Sequence, residues 1–481
     1  MTPHESSSEI AMADTPGGGA GKVQRKIKLG LFDFTMIVVS LVIGMGIFRT
    51  PINVAKASPT PAIFFIAWLA GGLVAICGAL TYAEIGSRMP VTGGYYKVFS
   101  YAYHPSIAFA INCIILVSNA ASGAAVALVG SEYITGVILP MSRDPEYIKL
   151  AANAQYVHAI HLMIAIAAIV IFYGINMLGL RLSAKTQSVL TIIKILLIIL
   201  LITPLFFATH DAGSAQMIGD TVSPGFREYI KAFGIGLVAV SFTYGGYQQT
   251  INFGAEVEKP ARNIPRGIFM GIFIIIALYL AINYAYVKVI GFENLKNSEN
   301  IAAIMASKIF GPDAERIMSI LLFMSVLAYI NALLLSNPRV MYAMSEDKIL
   351  PEGFQKKNSR GALTLSLTLF ASLATIVVFW AQKFDTLLSF TIFLDSFGMV
   401  LSAGSIFKIR KHTANLNGTG IYSMKWFPVL PLIFIIAYTF VAISIALDYK
   451  NNNNAALVGS SVLAFFIVVY FIAKTFKRKT V

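Results

Sequence analysis

The apolar segment at residues 34–48 contains two glycines, Gly44 and Gly46, that interrupt a helix in the middle of a membrane-length span. Glycine weakens a helix by about 1 kcal/mol relative to alanine. Unwound backbone inside a bilayer is tolerated only where it is buried in protein or lines a cavity, because lipid offers no hydrogen bonds. The two glycines therefore predict an internal site at this level, and the amide groups that follow them are suited to an anion.

A second interruption, at Gly245 and Gly246, lies about 200 residues later in another apolar segment. Matching breaks in the two halves of a membrane protein indicate the binding site of a secondary transporter. Their spacing predicts a five-plus-five inverted repeat with broken spans 1 and 6, and two further spans outside it. The alternative is that the glycines serve only close helix packing.

Composition places most of the chain in a membrane. Hydrophobic residues form 57% of the sequence and charged residues 12%, which is about half the charged share of a soluble domain. A helix needs about 20 apolar residues to cross a bilayer, so we predict an all-α integral membrane protein with about twelve transmembrane helices. The predicted spans are residues 33–56, 60–87, 106–140, 155–177, 186–210, 228–257, 266–291, 313–344, 362–382, 384–410, 425–447 and 455–477.

The predicted topology explains how the basic residues behind the net charge of +14 are distributed along the chain. If the N-terminus is cytosolic, about twice as many Lys and Arg residues lie on the cytosolic side as on the other, so the positive-inside rule places both termini in the cytosol. The basic charge then gives no reason to expect a nucleic-acid partner. We expect a disordered cytosolic tail over residues 1–26, a transporter core over residues 27–410, and two peripheral spans with a basic cytosolic C-terminus over residues 411–481.

The two breaks offer complementary chemistry. At the first, N–H groups from Gly44 to Ile47 and the positive end of the following half-helix favour a carboxylate. At the second, the carbonyl groups of Phe242, Thr243 and Tyr244 suit an ammonium group. Together they match the backbone of an α-amino acid. The predicted substrate-binding residues are Ile43, Gly44, Met45, Gly46, Ile47, Phe242, Thr243, Tyr244, Gly245, Tyr247, Asn119, Ser122, Asn331 and Asp395.

Several spaced motifs carry a family resemblance. They are residues 42–51 (VIGMGIFRTP), 82–96 (YAEIGSRMPVTGGYY), 242–247 (FTYGGY), 256–265 (EVEKPARNIP) and 339–351 (RVMYAMSEDKILP), with Asn331 ahead of the last. Over about residues 27–410 the chain resembles the amino acid–polyamine–organocation (APC) permeases, and its pattern is similar to that of sodium-independent, L-type-like bacterial members.

The resemblance implies a leucine-transporter-like fold and amino acid transport by alternating access. It also implies that Phe242 is an aromatic gate over the substrate. Met45 departs from the small residue usual between the two glycines, which could narrow the pocket or change the preferred substrate. Some eukaryotic members join a glycoprotein through a cysteine between spans 3 and 4. Residues 140–155 contain no cysteine, so we expect no covalently linked partner subunit and a bacterial inner-membrane location.

Lys194 is predicted to lie inside span 5. Burying an ammonium in a membrane costs at least about 2.5 kcal/mol, so the residue either snorkels to the cytosolic face or performs a function. We interpret its charge as a substitute for a sodium ion that braces the first half of span 1. The position matches a lysine of sodium-independent members, which implies proton symport or amino acid exchange.

Asp395 is predicted near the middle of span 10 and has two functional interpretations. It can carry a coupled proton, or it can select a substrate with a cationic side chain. The other candidate side chains are mostly neutral and either small or aromatic, which favours neutral L-amino acids. A cationic amino acid or polyamine permease, a sodium-coupled symporter and a non-transporting membrane sensor are the alternatives.

Enzymatic and metal-dependent functions find no support in the sequence. It has no nucleophile elbow, P-loop or HExxH motif, so we do not expect an enzyme. His158 and His161 are too few to hold a metal ion. The expected partners are an amino acid substrate and the lipid bilayer, and we expect no cofactor.

Overall fold

The computed structural model describes residues 28–139 except Met45, and residues 153–207, 225–298, 301–311, 314–380, 384–447 and 455–479. The predicted N-terminal tail and Met45 thus lie outside the described residues. Over the described part the protein is helical, and its β-structure is limited to isolated bridges such as Leu29 with Val257.

Seventeen α-helices follow one another along the described chain. They are α1 Leu31–Val42, α2 Gly46–Ala57, α3 Pro61–Arg88, α4 Gly94–Ala102, α5 Pro105–Ile138, α6 Ala154–Met177, α7 Leu180–Ile202, α8 Pro204–Phe207, α9 Phe226–Tyr244, α10 Pro260–Ile290, α11 Phe292–Lys296, α12 Ile301–Phe310, α13 Ala314–Glu346, α14 Thr364–Trp380, α15 Phe384–His412, α16 Val429–Leu447 and α17 Ala455–Lys479. Short 3₁₀ helices at Tyr247–Asn252 and Gly254–Glu256 continue the chain after α9.

Nine helical segments in the described ranges are long and apolar enough to cross a membrane, with α1 and α2 taken as one segment. The all-helical membrane class is therefore confirmed. The three remaining predicted spans overlap α9, α14 and α17. Helices α14 and α17 contain shorter apolar stretches, and α9 ends at Tyr244, before the predicted end of its span at residue 257.

Burial separates a core from a periphery. The most apolar stretch of α5 is 83% buried, whereas that of α6 is 22% buried. Helix α1 packs against α7, α10 and the 3₁₀ helix at Tyr247–Asn252, which we call the 3₁₀ segment. Helix α2 packs against α9. Gly267 and Gly271 on α10 let α1 approach closely, since an added Cβ would lie 2.4 Å from Phe34 and 2.5 Å from Val38.

Both predicted interruptions are present. Helix α1 ends at Val42 and α2 begins at Gly46, while α9 ends at Tyr244 and the chain resumes as a 3₁₀ helix at Tyr247. The first break thus separates two α-helices, and the second leads from an α-helix into a tighter 3₁₀ segment.

Candidate functional site

The two breaks cross in direct contact, with a glycine on each side of the contact. A Cβ added to Gly46 would lie 2.9 Å from Oγ1 of Thr243, and one added to Gly246 would lie 2.2 Å from the carbonyl oxygen of Leu41. Real Cβ atoms are essentially never found below 3.0 Å from such neighbours. Glycine at these two positions therefore lets each break pack directly against the end of the helix that leads into the other break.

Lys194 on α7 stabilises the end of the first half-helix. The side chain is fully buried. Its ammonium donates to the carbonyl oxygen of Ile43, directly after α1, and to the hydroxyl of Ser40 at 3.4 Å. None of the ion pairs formed by described residues includes Lys194. The charge is therefore balanced by the oxygen dipoles at the C-terminal end of a helix, and the side chain does not snorkel.

The second break is stabilised without a charge. Gly245 donates to the carbonyl of Phe242 at 3.2 Å. Gly246 has φ +112°, a left-handed conformation that favours glycine. The N–H of Gly246 donates to Oε1 of Gln248 at 2.9 Å, so a neutral amide two residues downstream satisfies the unwound backbone.

A tyrosine hydroxyl connects the two breaks. Tyr279 on α10 is buried and lies within 3.2 Å of the carbonyl oxygens of both Val42 and Thr243. The carbonyl of Phe242 accepts the bond from Gly245. Val42 also accepts the N–H of Gly44 at 2.8 Å, whereas the carbonyl oxygen of Thr243 has a second lone pair with which to accept a hydrogen bond from a ligand.

A cavity of about 40 Å³ lies at this crossing. That volume holds about three water molecules, so a larger occupant requires its walls to move apart. Asp395 on α15 belongs to the wall and accepts a hydrogen bond from Ser118 at 2.9 Å. The hydroxyls of Ser122 and Tyr329 lie 2.8 Å apart on the same wall. Among the described ion pairs none includes Asp395.

The cavity brings together most of the residues selected from sequence. Those on its wall are Gly44, Gly46, Asn119, Ser122, Phe242, Thr243, Gly245 and Asp395. Ile43, Ile47, Tyr244, Tyr247 and Asn331 are buried outside it. Tyr244 packs its ring 6.0 Å from that of Trp68, and Tyr247 packs 5.9 Å from Tyr82.

Asn331 faces away from the cavity, contrary to expectation. Its amide nitrogen donates to Oε1 of Gln187 at 2.7 Å, and its oxygen accepts from Asn176 at 2.7 Å. Tyr329, two residues earlier on α13, lines the cavity instead. Residues that are two positions apart on an α-helix point in directions about 200° apart. Tyr329 and Asn331 therefore point to opposite sides of α13.

Among the cavity residues that the sequence analysis missed are Gln248, Gln249, Tyr329 and Tyr438. The two glutamines directly follow the second break, so their position was a usable signal. Tyr438 was not predictable in this way, because it lies on α16, a span assigned to the periphery. Its helix packs against α15 and α3, which brings the ring to the cavity wall.

An amide chain closes one side of the cavity. Gln249 donates to Oδ1 of Asn119 at 2.9 Å, and Asn119 donates to Oδ1 of Asn337 at 2.6 Å. The next residue, Pro338, lines a second and larger cavity. This chain of side-chain hydrogen bonds thus joins the 3₁₀ helix at Tyr247–Asn252, α5 and α13, and its last member directly precedes a residue of the second cavity.

The sequence comparison places this architecture in a family. A model of the amino acid permease family matches residues 29–473. The chain belongs to the amino acid permeases of the APC superfamily. Such proteins are transporters and not enzymes. This permease is a multi-pass membrane protein whose function is amino acid transport across the membrane.

Three curated relatives of this permease are named as amino acid transporters of differing specificity. It is 26% identical over 423 residues to the serine/threonine exchanger SteT of Bacillus subtilis (strain 168), covering 86% of this chain and 90% of that protein. It is 23% identical over 484 residues to the large neutral amino acids transporter small subunit 2 of Homo sapiens, and the match covers 99% of this chain and 86% of that protein. A cystine/glutamate transporter of Homo sapiens is 25% identical over 393 residues, and the match covers 82% of this chain and 75% of that protein.

Proposed function

We propose that this permease exchanges neutral L-amino acids across the membrane by alternating access and without sodium. The observation that carries the proposal is the ammonium of Lys194 at the carbonyl of Ile43. A fixed cation at the end of a broken helix supplies the charge that a bound sodium ion would otherwise provide. Gly44, Gly46 and the carbonyls of the second break are the proposed contacts for the substrate's carboxylate and ammonium groups.

Uptake of labelled amino acids into proteoliposomes tests this proposal. We expect saturable uptake that is unchanged when choline replaces sodium. A fall to background in choline would show that sodium is still needed and would favour a sodium-coupled symporter. The absence of saturable uptake for every amino acid tested would favour a sensor.

Exchange is the proposed mode, because a fixed lysine leaves no sodium gradient to couple and because SteT is named an exchanger. Proton symport is the other sodium-independent mode. Counterflow into preloaded vesicles distinguishes them. Exchange requires amino acid on both sides and does not respond to a pH gradient, whereas proton symport into empty vesicles accelerates when the outside is acidified.

Alternating access is supported by the small volume of the cavity at the two breaks, about 40 Å³, because an amino acid fits there only if the walls move apart. We propose twelve spans, a five-plus-five inverted repeat in the first ten, and both termini in the cytosol. Reporter fusions at each terminus test the topology. Fluorescent protein should mature at both ends, while alkaline phosphatase should be inactive at both.

We further propose that this chain transports alone in a bacterial inner membrane, with Met45 and Phe242 shaping access to the site. The related human transporter is named a small subunit, so the independence of this chain requires a direct test. Purified protein, reconstituted without any other polypeptide, should show full exchange activity.

Cationic amino acids are the second candidate substrates, because Asp395 is on the cavity wall without a cationic partner in the described part of the chain. Asp395→Asn distinguishes the two substrate classes. We expect the ranking of neutral substrates to be retained in this variant. A selective loss of lysine or arginine uptake, with neutral uptake spared, would show that the carboxylate binds a cationic side chain.

A further inference from the structure

A second cavity, of about 590 Å³, extends to Pro338 on α13 and is lined by apolar and polar residues that include four cationic side chains. We call it the basic vestibule and define it by Lys28, Glu256, Arg339, Lys357 and Arg360. Its volume is within the range of small-molecule sites. It is distinct from the cavity at the crossing of the two breaks, with which it shares no lining residue.

The charges of the basic vestibule do not cancel. Glu256 is paired with Arg339, whose Nε lies 2.8 Å from its carboxylate. Lys28, Lys357 and Arg360 remain, and none of them takes part in an ion pair with a described residue. The ammonium of Lys357 lies 5.2 Å from the centre of the Tyr342 ring. Three cations therefore face one cavity without a carboxylate to balance them.

Lys357 and Arg360 are carried on a turn that is fixed by hydrogen bonds. Oδ1 of Asn358 accepts the N–H groups of Arg360 at 3.0 Å and Ala362 at 2.9 Å. Its Nδ2 donates to the carbonyl of Met177, at the end of α6, at 2.8 Å. This backbone is ordered before any ligand arrives, which lowers the entropic cost of binding.

The same turn is held from a second side. Gly179, at φ +101°, packs so closely that an added Cβ would lie 2.4 Å from the carbonyl oxygen of Arg360. Lys28 is fixed across the vestibule by its neighbour Leu29, whose N–H and carbonyl bond to the backbone of Glu256 at 2.6 Å and Glu258 at 2.9 Å. The cations thus come from two rigid segments that lie far apart in the sequence.

We propose that the basic vestibule binds a phosphate group carrying at least two negative charges. Two lysines and one arginine match a dianion, and the planar guanidinium of arginine favours bidentate contact with phosphate oxygens. A neutral amino acid offers one carboxylate beside its own ammonium and matches the site less well. The phosphate can belong to a soluble phosphate compound or to the headgroup of an anionic lipid.

Titration of the purified permease tests the proposal and requires no transport, so its result is independent of the proposed function. Pyrophosphate is the soluble probe, measured by calorimetry in detergent at constant ionic strength, since salt screens such contacts. Phosphatidylcholine vesicles with and without phosphatidic acid are the lipid probe, measured as the shift in melting temperature after reconstitution. Saturable binding of pyrophosphate, of phosphatidic acid or of both supports the site. The probe that binds shows whether the site accepts a soluble phosphate compound, a lipid headgroup or both.

Two double variants decide whether binding occurs at the vestibule. We expect Lys357→Gln/Arg360→Gln to weaken binding at least tenfold, while Lys411→Gln/Lys425→Gln binds like the unmodified protein, because these exposed lysines line none of the described cavities. The melting temperature without ligand shows that both variants are folded. Equal weakening by the two double variants, or no saturable binding to either probe, would overturn the proposal.

Discussion

The two breaks of this permease are alike in sequence and different in support. In the first break, Gly46 packs against the side chain of Thr243. In the second break, Gly246 packs against the backbone of Leu41. The first is held by the charge of Lys194, whereas the second is held by the neutral amide of Gln248 and a left-handed glycine. Similar interruptions can therefore respond very differently to substitution.

This difference has a physical reason. The carbonyl groups at the end of α1 carry a partial negative charge that a cation stabilises. The second break exposes an N–H group, at Gly246, and needs an acceptor instead. An ammonium group cannot accept the N–H of Gly246 and a glutamine oxygen cannot donate to the carbonyl of Ile43, so the two supports are not interchangeable.

Lys194→Met should have the largest effect. It leaves the carbonyl of Ile43 without the ammonium in a buried site, where an unsatisfied polar group costs about 1–3 kcal/mol, and it removes the proposed ion substitute. We expect exchange in proteoliposomes to fall more than 100-fold, to near background. Size-exclusion chromatography should still show a monodisperse protein.

Lys288→Met is the matched control for this change. Lys288 lies in the last turn of α10, with its ammonium 6.0 Å from the centre of the Tyr284 ring. The same substitution here should leave exchange within about twofold of the unmodified protein. If Lys194→Met retained substantial exchange, the charge would not be what holds the first break.

Gly246→Ala should have the next largest effect, acting on the second break. A non-glycine residue at this φ costs about 1–3 kcal/mol, and the added methyl group would lie 2.2 Å from the carbonyl of Leu41. We expect roughly a tenfold loss of exchange and a lower melting temperature. Gly236→Ala on α9 is the control, because Gly236 lies outside the cavity wall and an added Cβ there would have its nearest contact at 3.4 Å. Equal damage by both substitutions would contradict the importance of the left-handed conformation.

Sequence reasoning predicted both breaks and the lysine that supports the first, but not the support of the second. Two glycines in an apolar span are a local pattern, and a lysine in hydrocarbon is conspicuous because of its energetic cost. The contact between Gly246 and Leu41 joins residues about 200 positions apart and has no local signature. Asn331 lies outside the cavity wall, where the sequence analysis did not expect it, for a related reason. An error of two residues on a helix turns a side chain to the opposite face, and only packing against α6 and α7 determines that face.

Gln248→Met should have a smaller effect on the same break. Methionine keeps the length of the side chain but removes the oxygen that accepts the N–H of Gly246. A lost neutral hydrogen bond costs about 1 kcal/mol, so we expect about a fivefold rise in KM for exchange with a smaller change in maximal rate. Gln248→Glu, which keeps an acceptor oxygen, should recover most of the loss. A failure of Glu to improve on Met would show that Gln248 acts through packing.

Tyr279→Phe should have the smallest effect, because it weakens both breaks without leaving either unsupported. The hydroxyl bridges the carbonyls of Val42 and Thr243. Val42 still accepts the N–H of Gly44 at 2.8 Å, and the Tyr279 ring keeps its packing 5.1 Å from Tyr244. We expect a two- to fourfold loss of exchange with little change in melting temperature.

Tyr286→Phe provides the comparison for this last variant. Tyr286 lies two turns further along α10 and is equally buried, but its hydroxyl has no hydrogen-bond partner among the described residues. Its removal should leave exchange unchanged and can raise the melting temperature, because an unpaired hydroxyl is costly to bury. Equal losses from Tyr279→Phe and Tyr286→Phe would mean that the hydroxyl does not couple the breaks. A loss confined to Tyr279 would show that the charged and neutral breaks act as one site.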